Sequence, residues 1–98
     1  MKQFNIKRPE DVAKFFFWLV FERHVNIHPD DSISNYIDVE TKEPTFTGEE
    51  AYCYEAVRMG CFDVCERFGV DIYDICMRIL NLFYFCDNND TMEKMTRQ

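Results

Sequence analysis

Phe15-Phe16-Phe17-Trp18-Leu19-Val20-Phe21 is an unbroken run of seven large apolar side chains within a segment whose flanks carry helical spacing. A helix with no polar side at its centre has to be covered all round. Helix one is therefore either the central rod of the fold or a rod whose second face is closed by another subunit. As a helix the run is only about 10 Å long, against about 30 Å of hydrocarbon in a bilayer, so it does not span a membrane.

Start and stop signals divide the chain around this run. Arg8-Pro9-Glu10-Asp11 opens helix one, because Pro9 suits the first helical position and the two acids meet the positive end of the helix dipole. Val12, Phe15, Phe16, Leu19, Val20 and Arg23 then recur at helical spacing, and Asn26 before His28-Pro29 closes the helix near residue 25. Residues 28–46 hold no sustained period. Asp30-Asp31-Ser32 can start one short helical turn through Ile33, Tyr36 and Ile37. Thr47-Gly48-Glu49-Glu50 fits a capping box for helix two, which reaches about Phe68 before Gly69 supplies a left-handed cap. Its predicted buried face is Cys53, Val57, Gly60, Cys61, Val64 and Phe68. Asp71 caps helix three, over 71–86, with Ile72, Ile75, Cys76, Ile79, Leu82, Phe83 and Cys86 on one stripe and Asp74 with Arg78 as an i,i+4 pair. Asp87-Asn88-Asn89-Asp90 closes it, and residues 91–98 read as a flexible tail. The expectation is an all-α fold, one domain over 1–98: a small three-helix bundle with an additional short helical turn in a long loop.

Ninety-eight residues suffice for one modest core, and an aromatic content of 16% makes staples unnecessary. The five cysteines are odd in number and fall within apolar periodic segments, as free thiols of a reducing compartment do. No secretory signal opens the chain, so the expected location is cytoplasmic. Eighteen acidic against eleven basic residues, the latter scattered singly or in pairs, disfavour direct nucleic-acid binding.

Motifs for chemistry are sparse. His28, Asp30 and Asp31, with Asp38 and Glu40 downstream, could offer oxygen and nitrogen to a cation, but the spacing matches no EF-hand and suits ordinary turn chemistry. Cys61 and Cys65 lie four apart, with His24 as a conceivable third ligand, yet they sit in the apolar series Val57-Cys61-Val64-Phe68, where packing explains them better than zinc or redox chemistry. His24, in the last turn of helix one, suits the helix dipole better than it suits general-base work. Neither a nucleophile elbow, a glycine-rich phosphate loop nor a paired-histidine zinc helix is present. No enzyme, cofactor or metal is expected.

Apolar surplus is the stronger clue. Tyr52, Met59 and Phe62 share an arc of helix two with Glu55, Asp63 and Glu66, while Tyr73, Met77, Tyr84 and Phe85 lie outside the stripe of helix three. Three helices cannot cover all of these together with Phe17, Trp18 and Phe21, unless the 28–47 segment and the tail do so. Aromatic and Met side chains ringed by acids are what interaction surfaces use. The expected function is protein–protein contact by a small acidic protein, with a partner or as a homodimer, through Phe17, Tyr52, Met59 and Phe62. Two other classes stay open: an acidic mimic of nucleic acid, or an inhibitor, encoded by a mobile element; and a metal- or thiol-dependent enzyme. The stretch from His28 to Ile37, with Thr45-Phe46-Thr47, resembles segments of short bacterial proteins that have no assigned activity. That resemblance implies a bacterial or mobile-element accessory protein and brings no site residues with it.

Overall fold

Pro9 begins the first helix of the computed structural model, which describes residues 2–38 and 41–96 and the side chains as far as Phe85. α1 spans Pro9–Phe21, α2 spans Gly48–Phe68 and α3 spans Ile72–Thr96, with a single 3-10 turn at Ile33–Asn35. No strand forms among the described residues. An isolated antiparallel bridge joins Ile37 to Pro44. The fold is the expected all-helical bundle with a short turn in its long loop.

α1 packs at the centre with Val12, Phe15, Phe16, Leu19 and Val20 fully or nearly buried, but the apolar run is not covered all round, since Phe17 is exposed and Phe21 only half-buried. Its start is held by Asp11, whose carboxylate accepts the backbone N–H groups of Lys7 at 3.0 Å and Arg8 at 3.1 Å. These two bonds hold the carboxyl below its ordinary pKa. The end comes earlier than residue 25. Glu22 is the last cap, His24 adopts the left-handed conformation with φ of 56°, and the Val25 N–H donates back to the Leu19 carbonyl at 2.9 Å. His24 therefore lies beyond the helix and not in its last turn. By reversing the chain there, the fold drives Val25 and Ile27 into the core.

α2 matches its predicted bounds, and Gly69 takes the left-handed cap with φ of 67°. Its start is less conventional. Thr47 makes no side-chain cap bond, and Glu50 turns away to meet Arg23 at 3.0 Å, so the capping box does not form. The buried face is also rotated from the predicted one: Tyr54, Arg58, Cys61, Val64 and Cys65 are buried, whereas Phe68 is exposed. A polar group defines that face, because Arg58 finds carbonyl and carboxylate partners there.

α3 continues past Asp87–Asp90 to Thr96 instead of ending at residue 86. Asn and Asp are poor helix formers but do not forbid a helix, and neither Gly nor Pro follows them to break it. The Asp71 side chain accepts the Tyr73 N–H at 2.9 Å, as a cap should, and Asp74 pairs with Arg78 at 3.1 Å. Ile72 and Cys76 are buried, Ile75, Ile79 and Phe83 are half-buried, and Leu82 is exposed. The side chains of Cys86, Met92 and Met95, the terminal residues 97 and 98 of the predicted tail, and Glu40 lie outside the described residues. No helix is long and apolar enough to cross a membrane among the described residues.

Candidate interaction surface

The chain before α1 completes the core and shapes an opening beside it. Phe4 sets its ring 5.0 Å from Phe15 and 5.1 Å from Trp18, while the Lys2 carbonyl accepts the Tyr54 hydroxyl at 2.9 Å. The alternation Phe4-Asn5-Ile6-Lys7, half-buried and exposed in turn, is the sequence signal for this segment, and helical periodicity does not reveal it. Trp18, assigned from sequence to the uncovered surplus, is buried by it, together with Phe46 at 6.1 Å and Tyr54 at 5.0 Å between ring centroids.

Between this segment and the outer side of α1 lies a groove of about 660 Å³. Ile6, Ala13, Phe17, Trp18 and Ile79 give it apolar walls, and two lysines, Lys2 and Lys14, and two acids, Asp11 and Glu22, line it as well. Phe17 is 43% exposed and stacks on Phe21 at 4.2 Å, and Phe21 in turn meets Phe83 at 5.4 Å. An aromatic row thus runs from the groove to α3.

Tyr52 and Met59 stand elsewhere. Both project from the side of α2 opposite its buried face and are 79% and 56% exposed. Glu49, Asp63 and Glu66 are exposed on the same helix. Phe62 does not join them. It is half-buried, packed against the core, with the Arg58 guanidinium 5.7 Å from its ring centroid. Of the four predicted contact residues, Tyr52 and Met59 share one face, Phe17 lines a separate groove, and Phe62 belongs partly to the interior. On α3, Tyr73, Met77, Tyr84 and Phe85 are exposed as well.

The loop over residues 28–37 is tied to α2 and α3 by polar bonds. Arg58, 8% exposed, donates to the Pro29 carbonyl at 2.7 Å and grips Glu55 through two bonds of 2.9 and 2.6 Å. Glu55 also accepts the Ile33 N–H at 3.0 Å. These bonds, Arg58 first, pull the Glu55 carboxyl below its ordinary pKa and push the Arg58 guanidinium up. The Tyr73 hydroxyl donates to Asp30 at 2.6 Å, and Asp30 N–H to His28 Nδ1 at 3.2 Å. Acid and imidazole in this loop are thus engaged in holding the loop, and the Asp38 carboxylate accepts the Thr41 N–H at 3.2 Å.

Burial pushes the Cys61 thiol up to about 12 and Cys76 to about 11, and it raises Cys65 as well. Thiols held protonated in this way are poor nucleophiles and poor ligands at neutral pH. Among the described residues, no three His, Cys, Asp or Glu side chains gather where they could hold a metal ion. Compared with known proteins, the chain matches no family model, no curated protein and no solved structure.

Proposed function

We propose that this protein acts by protein–protein contact in a reducing compartment and associates with further copies of itself, with no catalytic step of its own. The carrying observation is the exposure of Phe17, Tyr52 and Met59, with Phe68, Tyr73, Met77, Tyr84 and Phe85 exposed as well, on a chain whose core buries Phe15, Phe16, Trp18, Phe46 and Tyr54. Large apolar side chains set among acids are suited to being covered by a partner, with the charges orienting the approach. Free, buried thiols at Cys61, Cys65 and Cys76 fit a cell interior. The ion pairs of Glu50 with Arg23, Glu55 with Arg58 and Asp74 with Arg78 break up any continuous row of carboxylates, which favours contact over mimicry of a phosphate backbone.

Size-exclusion chromatography with light scattering tests this reading at tens of micromolar protein. The expected mass rises with concentration above the 11.8 kDa of one chain. A constant monomer mass across the range contradicts self-association.

A further inference from the structure

We infer that the trough between α1 and α2 is a receptor for an extended segment, that residues 2–7 of the same chain are its resident occupant, and that residues 2–7 of a second copy are its external one. The inference rests on the self-association proposed above and names the segment that passes between copies. Lys2, Gln3 and Phe4 wall two openings at once: the groove of about 660 Å³ beside α1, and a second of about 370 Å³ that four residues of α2, from Glu49 to Val57, complete. The segment is therefore a partition laid along one trough. Phe15, Trp18 and Tyr54 floor that trough, with ring centroids 5.0, 5.1 and 6.2 Å from that of Phe4.

Few ties hold the partition. Among the described residues, no backbone–backbone hydrogen bond joins residues 2–7 to the rest of the chain; the Tyr54 hydroxyl donates to the Lys2 carbonyl, and the Lys7 N–H to Asp11. Phe4 and Ile6 are half-buried, and the other residues of the segment are exposed. An element with so few buried contacts opens at lower free energy than the helices it lies on. Once lifted it stays extended, because Pro9 keeps Arg8, at φ −140° and ψ 163°, out of the helical region, and α1 does not wind the segment up. The seat reads a main-chain carbonyl through the Tyr54 hydroxyl and an aromatic ring two residues further on. A second copy fits because residues 2–7 meet the same atoms whichever chain supplies them, the condition for exchange of an identical element. Tethering gives the resident segment an effective concentration of about millimolar order, so exchange needs a contact that the closed chain lacks. Phe17 offers one, being 43% exposed on the same opening, where a second copy seated in the trough brings a cover.

A synthetic peptide of residues 2–7 with blocked ends tests the seat, and light scattering tests the exchange. In the full chain carrying Phe4→Ala, the emission of Trp18 should lie at longer wavelength. The peptide at about 1 mM, the order of the tether's own effective concentration, should return the emission and raise the melting temperature. The same peptide with alanine in place of Phe4 should do neither. Phe4→Leu serves as the recipient if circular dichroism shows Phe4→Ala to be unfolded. Adding Tyr54→Phe to the recipient, which keeps the ring and loses the bond to the peptide's first carbonyl, should weaken peptide binding about fivefold. In light scattering, the Phe4 variant should self-associate about tenfold more weakly than the unaltered chain. A peptide that leaves emission and melting temperature unchanged, or a Phe4 variant that associates like the unaltered chain, overturns the exchange while leaving self-association through other surfaces in place. A monomeric unaltered chain overturns both.

Discussion

Tyr36 shows how far a single residue can be read before its neighbours are known. Capping chemistry after Asp30-Asp31-Ser32 made a short turn legible but carried it too far, through Tyr36 and Ile37: the 3-10 turn stops at Asn35, Ser32 makes no side-chain cap bond, and Tyr36 is already extended. Its burial and its hydroxyl's donation to the His28 carbonyl at 3.2 Å were not legible, since both depend on where the loop is laid down. Burial is the main cause that lifts its phenol from the ordinary 10.0 to about 12. A folded-state pKa above the unfolded one means that the neutral phenol stabilises the fold fully below pH 10, and that this contribution is lost as pH rises toward 12. Tyr36→Phe should cost about 1 kcal/mol near pH 7 through the missing hydrogen bond. In urea melts at increasing pH, the gap between the two proteins should close above pH 10 and then reverse. A gap that stays constant to pH 12 would show that the phenol is not held neutral. Arg58 makes the same point about legibility in stronger form. Sequence alone offered a scattered cation, and only the convergence of Pro29 and Glu55 makes a buried guanidinium tolerable.

At the scale of elements, local signals worked where the backbone itself was the cause and failed where a distant side chain competed. Gly69 ends α2 because a left-handed residue without a Cβ costs least there, and the bounds Gly48–Phe68 follow. The capping box at Thr47 was lost because Arg23, from another part of the chain, offers Glu50 a stronger partner than a backbone amide. Length failed too: α1 stops at Phe21 because the turn at His24 lets Val25 and Ile27 reach the core, a gain that no start or stop rule counts. His24 and Gly69 now form a matched pair of left-handed residues, one with the usual side-chain penalty and one without. His24→Gly should raise stability by about 0.5–1 kcal/mol, the strain relieved being larger than the entropy that glycine adds to the unfolded chain. Gly69→Ala should lower it by about 1 kcal/mol, and because nothing lies within 4 Å of the added Cβ, that cost is one of backbone conformation alone. Opposite shifts of the urea midpoint in the two variants are the expected outcome; a loss in both would mean that the His24 side chain is needed at that turn.

For the whole molecule, the seven-residue apolar run called for a central rod or for a rod with one face closed by another subunit; five of its side chains are buried within the single chain, while Phe17 is exposed and Phe21 only half-buried. What closes the rod was harder to see. Part of the cover is the N-terminal segment, joined to α2 across a separation of 52 residues by the bond from Tyr54 to the Lys2 carbonyl, and a contact that distant leaves no periodicity in the sequence. The surplus argument was therefore right for Tyr52, Met59 and Phe17 and too generous for Trp18 and Phe62, which the segment and Arg58 help to cover. Phe4 is the hinge of that distinction. It is half-buried, with edge or tilted contacts to Phe15, Trp18 and Tyr54, and it also lines the groove. Phe4→Ala should cost about 2 kcal/mol, less than the 3–5 kcal/mol of emptying a fully buried Phe site, because part of its ring already faces solvent. The emission of Trp18, the single tryptophan, should shift to longer wavelength as water gains access to the indole. Were the segment only resting on the surface, neither the melting midpoint nor the emission would move, and the groove would have no fixed outer wall. The size of the change therefore measures how rigidly the N-terminal segment holds the outer wall of the groove, and a wall already fixed is one whose ordering costs nothing when the groove is filled.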